Sequence, residues 1–435
     1  MNKILFKWSE LKATFWFVPV IIIAFSVVLS TGLVALDGLV DISKDGITRF
    51  FLVKSSDSAR SILATISGAM IGVAGTVFSV TLVALTLASS QFGSRLIRNF
   101  MYVRLNQVVL GSYISTYLYC LLILNAIRDG DDYSFIPSIS ILVAIIAAVA
   151  NIILLIVFIH QIATSIQADN IISDISEFIS KRIDSLFPQE KESDIRNRVK
   201  INAPGILSQY HHRKTVKSPD DGYLQYIDHD SLIKILNKND ALFELNYRPG
   251  GHLVKGDQLG WLHTMDTGED ELIEKILNQV VIGKTKTAQQ DLEYSLHQMV
   301  EIAVRALSPG INDPYTAITC IDNLKATLCH LARSKFPSRY RFDDENNLRV
   351  ILDSIDFEGV INTAFNKIRQ FSGGNTAVII RLMEALTTIH QHAQDDEQRA
   401  AVMKHAQMVL RKGEGTISEE NDLNDLRMRA QSILE

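Results

Sequence analysis

The densest run of groups able to do chemistry lies near residue 300. Glu293, His297, Glu301 and Arg305 recur every four residues, so they share one stripe of a helix expected over 287–307. That helix gives way to Leu307-Ser308-Pro309-Gly310-Ile311-Asn312-Asp313-Pro314-Tyr315. In this break Asn312 or Asp313 suits a helix N-cap, and Pro314 suits the first helical position. A capped helix start offers free N–H groups to an anion, and Arg305 stands one turn before the break. Glu301, Arg305, Asn312 and Asp313 are therefore the expected site for a small polar or anionic ligand. An ion-pair ladder followed by an ordinary cap accounts for the same residues, and the sequence leaves both open.

Catalysis is not expected. His297 and Glu301 could exchange protons, but no nucleophile or metal set accompanies them. The chain has no G-x-S-x-G elbow, H-E-x-x-H, P-loop, C-x-x-C pair or G-x-G-x-x-G after a strand. Three cysteines, Cys120, Cys320 and Cys329, form neither a disulfide framework nor a metal knuckle. No cofactor is expected.

A second pattern is quieter. Gly68, Gly72, Gly75, Ser79 and Thr86 fall every three or four residues, or a multiple of that spacing, along one face of an apolar segment. Small residues so spaced let helices approach closely, and a face of hydroxyls and exposed carbonyls can also line an ion path. Both uses fit. A weaker version recurs at Ser112, Ser115, Tyr119 and Cys120.

These residues sit within four apolar runs at about 15–36, 62–89, 107–127 and 135–160, with no Asp, Glu, Lys or Arg inside. Each can cross a hydrocarbon layer that needs about 20 helical residues. The fold class expected is thus a membrane all-α domain over 1–160 followed by a cytoplasmic α+β part. Met1–His160 carries eleven Lys/Arg and eight Asp/Glu, net +3; the rest carries 32 and 40, net −8, giving the overall −5. An acidic soluble part excludes a nucleic-acid surface and leaves the bilayer as the expected partner. Lys3, Lys7 and Lys12 at the start, and Arg95, Arg98 and Arg104 in the second loop, orient both termini toward the cytoplasm. The first span has no small-residue cleavage site and is expected to be retained. Buried charge, which carriers use for coupling, is missing from the spans, so secondary transport is disfavoured.

Beyond His160 an isoleucine stripe (Ile162, Ile166, Ile172, Ile175, Ile179, Ile183) predicts that the last span continues as one helix over 161–187, ending at Phe187-Pro188. It would pack on the soluble domain or on a neighbouring subunit. A β-rich segment follows over 199–265. Its S-P-x-x-G-x-L and P-G-x-x-L-V-x-G-x-x-L-G-x-L halves look like a barrel-sandwich hybrid, without the lysine hairpin of carrier domains. The remainder, 270–435, reads as helices at 270–282, 287–307, 313–334, 344–370, 376–392, 396–411 and 417–434.

Ser58–Leu63, Val77–Leu85, Ala88–Phe92, Arg98–Met101, Asn106–Gly111 and above all Arg305–Ala317 resemble the bacterial membrane-protein family called domain of unknown function 2254. The likeness covers essentially the whole chain. It implies a multi-pass protein of the bacterial inner membrane and supplies no activity and no catalytic residues. The function expected from all this is an oligomeric, channel-like membrane protein regulated through its cytoplasmic domain. The alternative is a membrane-anchored sensor or scaffold that recruits a partner and transports nothing.

Overall fold

A computed structural model describes residues 8, 11–12, 14–39, 55–93, 104–129, 134–165, 167–186, 201–265 and 269–434. Lys3, Lys7, Arg95, Arg98, Ile166 and the Phe187-Pro188 stop lie outside these residues. The chain forms two compact units, divided after Gln167.

The first unit holds α1 (Phe17–Leu39), α2 (Ser56–Phe92), α3 (Arg104–Ala126) and α4 (Ser138–Ser165). All four are long and apolar enough to cross a membrane, with mean hydropathy between 1.6 and 3.2 over their best stretches. The lowest value belongs to α3, which packs on each of the other three helices. Several of its polar residues face inward and bond to neighbouring helices. Asn151 of α4, 1% exposed, donates to Thr116 Oγ1 at 2.8 Å and accepts from Ser112 Oγ at 2.5 Å. Tyr113 donates to the Asn151 carbonyl at 2.6 Å, Tyr119 to that of Ser140 at 2.9 Å, and Ser26 to that of Ser115 at 2.9 Å. In lipid such groups must bond to one another, and here they do. The Ser115, Tyr119 and Cys120 positions expected as a weaker pathway face are buried by packing within the chain.

Two details escaped sequence patterning. A two-residue ribbon joins α3 to α4, β1 (Arg128–Asp129) pairing antiparallel with β2 (Ser134–Phe135). Asp37, expected in a loop, lies in the last turn of α1 and caps α4, accepting from Ile139 N at 2.8 Å, Ser140 N at 2.9 Å and Ser140 Oγ at 2.6 Å.

Close approach in this unit occurs at Gly111, where an added Cβ would come within 2.9 Å of the Pro19 backbone and 3.0 Å of Ile22. Gly111→Leu should force α1 and α3 apart and destabilise the unit by about 2–3 kcal/mol. A fall in detergent-solubilised melting temperature for this variant, absent for Gly72→Ala, is the expected result.

In the second unit, α5 (Ala168–Leu186) buries Ile171, Ile172, Ile175, Ile179 and Ile183, and packs on α9 (Leu292–Ala306) and α10 (Pro314–Arg333). The stripe is therefore consumed inside one chain. The expected single helix through 161–187 is instead two: Gln167 belongs to neither α4 nor α5. Side chains compete with the helical ladder at this point. Thr164 bonds back to His160 O and Gln161 O, Gln161 to Ser165 Oγ, and Gln167 N tightens onto Thr164 O.

After α6 (Ala203–Leu207) come β3 (His212–Lys217), β4 (Gly222–Ile227), α7 (His229–Lys238), β5 (Leu242–Leu245), β6 (His252–Leu253), β7 (Gln258–Thr264), α8 (Glu269–Leu277) and β8 (Val280–Gly283). Between α10 and α11 (Phe357–Phe371) lie β9 (Tyr340–Phe342) and β10 (Leu348–Ile351). One sheet has the order β3-β7-β5-β10-β9, the other β6-β4-β8, and no closed barrel forms among the described residues. Helices expected over 270–282 and 344–370 are corrected: the first stops at Leu277 before β8, and the second begins only at Phe357 after β10. All four residues of β10 are buried, and it runs parallel to β5 although about a hundred residues separate them. A run as short as Leu348–Ile351, three apolar residues around Arg349, shows no period that separates strand from helix. Three further helices, α12 (Thr376–His392), α13 (Asp396–Glu414) and α14 (Glu420–Leu434), complete the helical layer on α10 and α11.

Candidate functional site

The four residues expected to bind a ligand are placed around the α9–α10 junction. Glu301 and Arg305 are half-buried on α9, each with an interaction of its own. Asp313 caps α10 with both oxygens, Oδ1 accepting from Thr316 N at 3.1 Å and Oδ2 from Thr316 Oγ1 at 2.6 Å. Asn312 is exposed and takes the left-handed conformation, φ +51°. Its N–H and that of Ile311 both reach Ser308 O, and Asp313 N reaches Ala306 O. The junction is a tightly self-bonded turn in which Asp313 does a cap's work.

The first residue of the α9 stripe has a different role. Glu293 receives Arg248 through Nη2 at 2.7 Å and Nε at 3.2 Å, and Thr363 Oγ1 at 3.1 Å. Arg248 also reaches Asp353 at 3.3 Å. One guanidinium thus ties the turn before β6 to α9 and to the segment entering α11. Beside it Asp291 caps α9, its Oδ1 accepting from Tyr294 N at 2.9 Å. Asp291 is 4% exposed and its Oδ2 has no hydrogen-bond partner. Burial pushes its carboxyl up to about 6, against the opposing pull of the Tyr294 N–H and Lys286. Gly250, at φ +96°, lies directly on this carboxylate, and an added Cβ there would overlap it. Sequence patterning took Pro249-Gly250-Gly251 only as the opening of one half of a barrel-sandwich hybrid. The paired glycines were the available signal, since such a pair marks close backbone approach or positive φ.

His405 is fully buried where α13 meets α11. Its Nε2–H donates to Asn362 Oδ1 at 3.0 Å, and Nδ1 has no partner. Burial, with Arg369 and Lys404 nearby, holds its pKa down to about 4, while Glu358 acts the other way. A folded-state value below the ordinary one for histidine, about 6.5, means stability is complete above that value and is lost as pH falls toward 4. Asp291 has the opposite sign and favours folding as pH falls from about 6 toward 3.8. His405→Gln should flatten the acid limb between pH 6.5 and 4 by about 2–3 kcal/mol. Melting temperature followed against pH checks this; curves that stay parallel for wild type and variant contradict it.

On α2, Gly68, Gly72, Gly75, Ser79 and Thr86 are all exposed, and nothing lies within 4 Å of a Cβ added at any of the three glycines. At 3.6 residues per turn this stripe lies about 160° from the buried Met70, Ala74 and Val77. It packs against none of the described residues. Thr65, Thr76, Ser79 and Thr86 satisfy their hydroxyls on carbonyls four residues back, at 2.7–3.3 Å. Among the described residues no cluster of His, Cys, Asp or Glu could hold a metal ion.

A family model described as a predicted membrane protein (DUF2254) matches residues 12–388, which takes in all four apolar helices and most of the second unit. The uncharacterized protein Rv1290c of Mycobacterium tuberculosis is 30% identical over 421 residues, covering 95% of this chain and 78% of that one. The uncharacterized protein Mb1321c of Mycobacterium bovis matches to the same extent. No solved structure matches.

Proposed function

The chain belongs to the predicted membrane protein family DUF2254, and from that premise we propose an oligomeric, channel-like protein of the bacterial inner membrane whose copies meet along the small-residue face of α2. Both termini lie in the cytoplasm on this reading, and ligand binding near Glu301, Arg305, Asn312 and Asp313 biases the membrane helices. The proposal includes no enzymatic step.

One observation carries it. The polar groups named in the bundle interior are spent on partners within the chain, while the glycine and hydroxyl stripe of α2 faces outward and is unpacked. A helix face directed at lipid gains most from bulky apolar side chains; glycines spaced by four favour another helix. The single bundle is closed around Asn151, Tyr113 and Tyr119, so any conduit would run between copies.

The test is flux of monovalent cations and anions through liposomes containing the purified protein. Conductance that disappears in Gly72→Leu and Ser79→Leu, with assembly retained, is the expected result. No flux for any ion, across pH and membrane tension, removes the channel. The sensor or scaffold reading is favoured by a separate observation: α4 and α5 are distinct helices, so no single rod runs from lipid into the second unit. Absence of flux together with stoichiometric co-purification of a cytoplasmic protein would decide for it.

A further inference from the structure

We propose that the α9–α10 turn is a membrane-surface anchor, with Ile311 and Tyr315 seated in the boundary between lipid headgroups and acyl chains. The inference rests on the chain spanning the bilayer and is independent of channel activity.

The first support is a register inside the second unit. Helix α5 lies on α10, and two interactions, one near the ends and one near the starts, give the pair a common direction. Near their ends Asp184 pairs with His330 at 3.3 Å. Near their starts Asp169 of α5 and Asp313 of α10 both act on the buried Cys320 thiol, raising its pKa beyond what burial does. The start of α10 is therefore level with the start of α5, and the turn over 307–313 projects beyond both.

The second support is covalent continuity, whatever the arrangement of the two units. Ala168 follows Ser165, the last residue of the apolar helix α4, by three residues. Three residues span at most about 11 Å. The start of α5, level with this turn, is thus tethered within that distance of the end of the apolar helix α4.

The third is the chemistry of the tip. Tyr315 is 79% exposed and Ile311 45%, beside exposed Pro309 and Gly310. Tyrosine, with an apolar ring and a polar hydroxyl, is enriched where one end is dry and the other wet. Inserting backbone is costly when its N–H groups are free, but here Ser308, Ile311, Asn312 and Asp313 all donate within the turn. Two prolines and the left-handed Asn312 preform its shape. The turn can therefore present two side chains to lipid with the N–H groups of Ser308, Ile311, Asn312 and Asp313 already paired.

The experiment uses the full chain in vesicles of phosphatidylcholine and phosphatidylglycerol, with Cys120, Cys320 and Cys329 replaced by alanine. An environment-sensitive fluorophore is attached at Ile311→Cys, at Tyr315→Cys or at the exposed Met428→Cys of α14. Nitroxide-labelled lipid should quench the first two at least 2-fold more than the third, with blue-shifted emission. Emission that is blue-shifted but unquenched would mean burial against protein and would overturn the proposal. So would quenching no greater than at Met428. Should the cysteine-free background fail to fold, Ile311→Trp and Tyr315→Trp in the native chain, read with brominated lipid against wild type, give the same two outcomes.

Discussion

Replacing Arg349 with methionine is expected to destabilise the second unit by about 3–5 kcal/mol. Arg349 is 4% exposed on β10, which lies between β5 and β9. Its Nε donates to Asp343 at 2.7 Å, Nη1 to Asp240 at 2.7 Å and Nη2 to Asn237 at 3.1 Å. Asp343, its side chain 2% exposed, also accepts from the backbone of Glu345 and Asn347 and so forms the β9–β10 turn. These bonds hold the Asp343 carboxyl below its usual range although burial pushes the other way. Methionine fills much of the same volume and strands a buried carboxylate. The cost is that uncompensated charge rather than lost packing, so Arg349→Met combined with Asp343→Asn should recover part of it. Thermal unfolding in detergent should show the single variant lower by roughly 10 °C, scaled to a unit of this size. Equal melting temperatures for the single and double variants would remove the charge explanation.

Gly250→Val is expected to be about as damaging, on the order of 3–6 kcal/mol. A β-branched residue at φ +96° is strained by some 1–3 kcal/mol, and its Cβ must displace the buried Asp291 carboxylate, an overpacking cost of similar size. Displacing Asp291 also uncaps α9 and disturbs the adjoining Arg248–Glu293 pair. Gly251→Ala, whose Cβ would meet only atoms at 3.1 Å or more, should cost far less. The contrast between the two adjacent glycines, read by melting temperature, checks that the close approach matters rather than loop flexibility.

What the sequence disclosed follows from the range of the interactions. The apolar helices were legible because lipid imposes a long, unbroken pattern. The isoleucine stripe of α5 was legible for the same reason, though not the break at Gln167, which side-chain bonding over five residues decides. Strand β10 was hidden because four residues, three apolar and one arginine, are too few to carry a period, and all four are buried. The Arg248–Glu293–Asp353 contacts join residues 45 and 105 positions apart, and only the tertiary fold brings them together. At the α9–α10 turn the sequence located the helix cap, and the structure added that both Asp313 oxygens are occupied by Thr316. The α2 stripe was visible as spacing, but whether it faced inward or outward was not, because both sides of a membrane helix are apolar.

Contact between copies along α2 is tested most directly by cysteine cross-linking in intact membranes. With Cys120, Cys320 and Cys329 replaced by alanine, Gly72→Cys and Ser79→Cys should each give disulfide-linked dimers on mild oxidation. Phe78→Cys and Val80→Cys, exposed but about 90° away around the helix, should give few. Equal yields at all four positions, or none at Gly72 and Ser79, would contradict an interface on the small-residue face.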